Sequence, residues 1–185
     1  MGLKLHLGCW HRVLPGFVHV DLCDMPHIDY QTSIDSLPMF ADGSAELIYS
    51  SHALTYFDRG EAERVLREWH RVLQHGGLLR LAVPDFDALL QVYRKTGELQ
   101  HVLGPLYGRM EIETSSGKQT IYMKTAYNFP HLRALLEANG FANVRRYDWR
   151  STVHRDHDDH SQAYFPHMDK TNGLLISLNV EADKP

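Results

Sequence analysis

Residues 3–10, Leu-Lys-Leu-His-Leu-Gly-Cys-Trp, alternate apolar and polar side chains as far as Leu7 and then break at Gly8. A period of two ended by glycine predicts a strand running into a tight turn. The next strand signal is Phe17-Val18-His19-Val20-Asp21-Leu22, and only Cys9 to Gly16 lie between the two. That interval is too short for a full crossover helix, so any helix in it is a turn or two long.

Further along, residues 23–44 read as irregular, with Pro26, Pro38 and Asp42-Gly43. Glu46 to Ser50 predicts a short strand. The clearest helix follows: Asp58 and Glu61 have capping-box spacing, and Val65, Leu66, Trp69, Val72 and Leu73 form one apolar stripe. His75-Gly76-Gly77 is expected to end it. Leu78 to Val83 predicts a strand stopped by Pro84, and Phe86, Leu89, Leu90 and Tyr93 mark a helix ended by Gly97. Pro130 opens a helix carrying Leu132, Leu135 and Leu136, which Asn139-Gly140 closes. Val144 to Trp149 and Leu174 to Val180 predict the last strands.

Segments 98–127 and 150–172 show no clear period and are expected to be insertions or loops on the substrate side. Strands alternating with helices, without repeat or linker, predict a single α/β domain over 1–185 with a mainly parallel sheet. Ligands of such sheets sit beyond the carboxyl ends of the strands. That rule gathers Gly8 to Trp10, Asp21 to Asp24, Ser51-His52 and Pro84-Asp85 around one crevice.

Composition narrows the function. In 185 residues, 43% are hydrophobic and 23% charged, enough apolar matter for a core without disulfide staples. A net charge of -4 argues against a general nucleic-acid binder, which needs a basic face. No apolar run approaches the roughly 20 residues of a membrane span. The start, MGLKLHLGC, lacks the apolar core of a secretory signal, so a cytoplasmic location is expected. Two cysteines exclude a disulfide framework and a four-cysteine zinc site.

The ordered set LHLGCW (5–10), PGFVHVD (15–21), LPMFADGSAELIYSSHALTYF (37–57), LREWHRVLQHGGLLRLAVPDF (66–86) and LRALLEANGF (132–141) resembles the class I S-adenosylmethionine-dependent methyltransferases, especially the small type 11 group. The resemblance runs over about residues 3–149. It implies a Rossmann-like sheet, mainly parallel with an antiparallel C-terminal strand, and helices on both faces. It implies S-adenosylmethionine as cofactor and a methyl acceptor, expected to be a small molecule or sugar; the acidic balance, compact size and lack of a long apolar run speak against a nucleic-acid or membrane partner. By the same resemblance Gly8, Cys9 and Trp10 form the cofactor turn. Asp21, next to Leu22, accepts from the ribose hydroxyls; Ile34 and Asp35 frame the adenine; Ser50 and Ser51 line the methionine end.

This chain departs from the family at Trp10, where relatives carry a second glycine, and at Thr55-Tyr56, where many have Glu-His. A Trp in a tight turn is strained if its φ is positive. The indole either fills cofactor space or packs over the ligand or under the loop; the intact remainder of the motif favours packing. Methyl transfer needs alignment of nucleophile and methyl, and a base when the acceptor is a hydroxyl or protonated amine. His52 is the best-placed base, followed by Asp85 and Tyr56; Asp85 also suits a helix N-cap. His154, His157 and His160, interleaved with Asp156, Asp158 and Asp159, share a face if helical, but their composition suits a solvated loop and no metal site is expected. A non-catalytic ligand-binding or interaction module on the same fold is the alternative function, and a metal-dependent hydrolase a weaker third.

Overall fold

The computed structural model describes residues 2–115 and 117–185. In chain order the strands are β1 (Leu3–Leu7), β2 (Val18–Asp21), β3 (Tyr30–Gln31), β4 (Ala45–Ser51), β5 (Leu73–Pro84), β6 (Met110–Thr114), β7 (Gly117–Ile121), β8 (Ala142–Arg146), β9 (Tyr164–Phe165), β10 (Leu174–Leu175) and β11 (Ser177–Asp183). The helices are α1 (Arg59–Val72), α2 (Phe86–Thr96), α3 (Gln100–Tyr107) and α4 (Phe129–Ala138). Seven strands form one sheet in the order β3-β2-β1-β4-β5-β11-β8. The pairs from β3 to β5 are parallel, whereas β11 runs antiparallel to both β5 and β8. This is the mainly parallel Rossmann-like sheet with an antiparallel C-terminal strand.

Local chemistry sets the helix ends. Asp58 accepts from the Glu61 amide while the Glu61 carboxylate accepts from the Asp58 amide, the reciprocal box expected from the spacing. Gly97 ends α2 in the left-handed region, and Asn128 caps α4 with Pro130 in its first turn. Several boundaries differ from the sequence reading: the strand expected over 144–149 is β8, the one over 174–180 is split into β10 and the longer β11, the irregular segment 23–44 holds β3, and 98–127 holds α3 and the β6–β7 hairpin. The largest difference is at the end of α1. The helix α1 stops at Val72, and His75-Gly76-Gly77 lie inside β5, where the pairing with β4 jumps from Ala45↔Leu73 to Leu47↔Leu78. The glycines form a bulge rather than a helix cap: Gly76 has φ 75° and its amide donates to the Lys184 carbonyl.

The two faces of the sheet differ sharply. On one, Leu5, Leu7, Ile48, Leu79, Leu81, Leu178 and Val180 pack with Val65, Leu66 and Trp69 of α1 and Leu132 and Leu136 of α4. Period-two alternation sends His6, Tyr49, Arg80, Asn179 and Glu181 to the other face. The irregular segment 147–163 lies over that face. His154 stacks on Tyr49 (4.1 Å between centroids), the Tyr49 hydroxyl donates to Asp159, and Asn179 Nδ2 donates to the Ser161 carbonyl at 2.8 Å. The β1–β2 and β2–β3 crossovers carry no helix, so this segment covers the sheet there.

The solvated-loop reading of the His154–His160 run is corrected at His154 and Asp159, while Asp156, Asp158 and His160 are exposed as that reading expects. His154, Asp159, Ser161 and Gln162 are buried, because polar side chains projecting from the sheet need polar cover. The three histidines also do not share a helical face: His154 packs on Tyr49, while His160 packs on His52.

Candidate active site

A cavity of about 720 Å³ opens beyond the carboxyl ends of β1, β2 and β4. Its inner wall is Gly8, Cys9, Trp10, Asp21, Leu22 and Ile34, and its floor includes Ser51, His52 and Tyr56. All nine are residues expected from the sequence.

The β1 turn is built for close approach. Gly8 has φ 67°, and a Cβ there would stand 2.4 Å from the Ala53 Cβ, so no other residue fits without movement. Trp10 keeps the left-handed backbone that a glycine would adopt, with φ 45°, and its indole meets the His11 ring edge-on at 4.1 Å. Asp21, largely buried at the end of β2, holds this turn in place. Its Oδ2 accepts from the Trp10 amide at 2.7 Å and its Oδ1 from the Cys23 amide at 2.9 Å. Each carboxylate oxygen retains a further lone pair, which is the capacity that a vicinal diol requires. The cavity size, the glycine turn and the spare acceptor capacity of Asp21 fit an adenosyl ligand.

The thiols of Cys9 and Cys23 are free and buried. Burial, aided by the Asp21 carboxylate, pushes Cys9 well above the usual thiol range and Cys23 up to about 12. Both stay protonated and serve as small apolar wall residues.

His52 lies just past β4 with φ 56°, its amide donating to the Ala82 carbonyl at 2.8 Å. Its ring stacks on His160 at 5.0 Å and 18°, and its Nε2 is 3.1 Å from Ser177 Oγ. Burial, then the neighbouring His160, holds its pKa well below the usual histidine range. His52 is therefore neutral at pH 7 and has a lone pair to offer. Tyr56 donates its hydroxyl toward Met110 Sδ at 3.5 Å, and burial raises its pKa, which makes it a wall residue rather than a base.

Three expected site residues fall outside the cavity lining. Asp35 is exposed, because the β3–β4 connection turns Ile34 inward and the next side chain out. Ser50 points to the α1 face and is buried, since neighbours on a strand alternate. Asp85 caps α2 through the Asp87 amide and pairs with Arg146 at 3.2 Å, which occupies its carboxylate structurally. Conversely, sequence reasoning missed Arg12, Met110, Ile112, Met123, Asp158, Tyr164 and Met168, all of which line the cavity. They come from segments without periodicity, so only the fold brings them to the site. Among the described residues no group of three or more His, Cys, Asp or Glu is placed to hold a metal ion.

Known proteins resemble this chain in part of its sequence and in its fold. The model of a methyltransferase domain, type 11, matches residues 17–81. The matched stretch is about a third of the chain and makes it similar there to the type 11 methyltransferases. Solved methyltransferases share the fold. One from Thermotoga maritima superposes with a TM-score of 0.57 at 14% identity, over 100% of this chain and 83% of that one. One from Mesorhizobium loti gives 0.55 at 17%, covering 98% and 90%. The 1,6-didemethyltoxoflavin-N1-methyltransferase of Burkholderia thailandensis, solved with 1,6-didemethyltoxoflavin and S-adenosylhomocysteine, gives 0.55 at 14%, covering 98% and 70%. At these identities the likeness is one of fold. No curated protein sequence matches significantly. Among the described residues no helix is long and apolar enough to cross a membrane.

Proposed function

We propose that the chain transfers a methyl group from S-adenosylmethionine to a hydroxyl on a small molecule with an apolar body. The observation that carries this reading is a cavity in which the Gly8–Trp10 turn and Asp21 face an apolar wall across His52. When bound, S-adenosylmethionine supplies an electrophilic methyl on a positively charged sulfur. Asp21 and the Gly8 turn would hold its ribose and backbone-facing side, and Ile34 the adenine face. Segments 98–127 and 150–172 would form the acceptor side. Met110, Ile112, Ile121, Met123 and Tyr164 wall that side, which suits the apolar body of an aromatic or aliphatic acceptor, and Arg109, Asp158 and His160 supply polar contacts at its margin. The same wall excludes water from the reacting atoms. His52, neutral at working pH, takes the acceptor proton. The free buried thiols Cys9 and Cys23 suit a reducing cytoplasm, where we place the reaction.

Thermal denaturation with S-adenosylhomocysteine tests the reading. A ligand at about 100 times its Kd stabilises by roughly 2.7 kcal/mol, a shift of several degrees. No shift at millimolar ligand favours the non-catalytic module instead. Turnover of phenols but not of sugars, read as S-adenosylhomocysteine release, would then establish the acceptor class.

A further inference from the structure

We infer that Ser177, held by Asn179, is a positioning residue that fixes His52 as its Nε2–H tautomer and leaves Nδ1 as the atom that accepts the acceptor's proton. This rests on the proposed role of His52. The argument is one of hydrogen-bond direction. Asn179 Nδ2 donates to the Ser161 carbonyl at 2.8 Å, which orients the amide and turns Oδ1 toward Ser177 Oγ at 2.9 Å. An amide oxygen only accepts, so the single hydroxyl proton of Ser177 must point to Asn179. Ser177 Oγ then has only lone pairs for His52 Nε2 at 3.1 Å, and that nitrogen must carry the proton.

The rest of the site keeps this arrangement rigid. Ser177 and Asn179 are two apart on β11 and share its polar face, while Leu178 between them is in the apolar core. Both are nearly inaccessible, at 2% and 3% exposure. The Asp85 amide donates to the Ile176 carbonyl, which anchors the start of the strand. His160 lies flat against His52, with ring centroids 5.0 Å apart. Among the described residues His52 Nδ1 has no protein partner, and His52 lines the cavity while Ser177 does not. Ser177 therefore acts through His52 and touches no reactant.

In the reaction Nδ1 takes the proton as the acceptor oxygen forms its bond to carbon and the carbon–sulfur bond breaks with its electron pair left on sulfur. The positive charge passes from sulfur to the imidazolium, and Ser177 Oγ still accepts from Nε2–H after that change. With the opposite tautomer the lone pair would face Ser177 and the proton would face the acceptor, so the base would be absent.

The test is the histidine ¹⁵N spectrum of the whole chain, which reads tautomers without turnover. Wild type is expected to show His52 protonated at Nε2 and bare at Nδ1, with and without S-adenosylhomocysteine. Ser177→Ala should speed exchange of that Nε2 proton about tenfold, the equivalent of one lost hydrogen bond, and leave S-adenosylhomocysteine affinity within about twofold. Ser177→Thr, which keeps the hydroxyl, should restore the slow exchange. A wild-type Nδ1–H tautomer, or equal exchange in Ser177→Ala, overturns the inference. A parallel loss of S-adenosylhomocysteine affinity in Ser177→Ala also overturns it, by showing that Ser177 shapes the crevice instead. Absence of S-adenosylhomocysteine binding in wild type would sink the methyltransferase reading while the tautomer remained readable.

Discussion

The backbone amide of Trp10 donates to Asp21 Oδ2 at 2.7 Å, so the residue in place of the family's second glycine is tied to the carboxylate expected to hold the ribose. One side chain thus carries two duties. It braces the β1 turn through Trp10 and Cys23, and it presents its remaining lone pairs to the cavity.

That double duty changes what Asp21→Ala should do. From the sequence, the substitution is expected to weaken cofactor binding in an unperturbed fold. The structure adds a cost: two amides lose their acceptor, each worth about 1–3 kcal/mol where water cannot replace it. Urea denaturation should show a loss of about 2–4 kcal/mol, and calorimetry a tenfold to hundredfold loss of S-adenosylhomocysteine affinity. A variant as stable as wild type would mean that water reaches both amides.

Gly8→Ala should be costly for a local reason. The new Cβ would meet the Ala53 Cβ at 2.4 Å, and a left-handed alanine adds its own strain. Together these should remove about 2–4 kcal/mol of stability, measurable in urea. A loss below about 1 kcal/mol would show that the turn and Ala53 separate easily.

For Trp10→Gly two terms oppose each other. The change relieves a non-glycine residue at φ 45°, worth about 1–2 kcal/mol, but it deletes half-buried indole contact of similar size. Net stability should stay within about 1 kcal/mol of wild type. Because the indole lines the cavity, S-adenosylhomocysteine affinity should fall. Calorimetry finding tenfold tighter binding would instead mark the indole as an occluding side chain.

The histidine-lined face should make the fold acid-sensitive. His154 is nearly inaccessible and neither ring nitrogen has a hydrogen-bond partner; burial lowers its pKa to about 4. His6 and His52 are depressed in the same direction, also chiefly by burial. Around His154 stand Tyr49, Asp159, Arg80 and His157; the Asp159 charge opposes the depression, and Arg80 and His157 reinforce it. Between pH 6.5 and about 4 the unfolded chain binds protons that the native chain refuses. Stability is therefore full above the unfolded value and falls as pH drops through this window, by up to about 1.4 kcal/mol per pH unit for each such histidine. His154→Phe keeps the stack on Tyr49 and removes two unpaired nitrogens. It should leave stability at pH 7 equal or higher and flatten the decline between pH 6.5 and 4.5 in urea titrations. A slope unchanged from wild type would mean that His154 accepts its proton without cost in the fold.

Much of this protein was determined locally. The alternation in β1, the Asp58–Glu61 box, the stripe on α1 and the Gly97 and Pro130 boundaries depend on neighbours within one or two turns, and they read off the chain. Gly8, Asp21 and His52 were recognisable because each stands at the carboxyl end of a strand that faces the crevice, whereas Ile34 came only from the family resemblance. Other assignments depended on partners far away in sequence. The bulge at Gly76-Gly77 comes from pairing with β4, and the duty of Asp85 from Arg146, which lies 61 positions away. The histidines of the 150s gained their places only when helix-free crossovers left a sheet face for them to cover, and the direction of the His52 proton depends on Ser177, 125 residues on. Strand and helix signals are short-range because backbone dihedrals and side-chain period are. Burial and hydrogen-bond direction are settled by whichever groups the completed sheet brings within about 3 Å, and no local pattern records them.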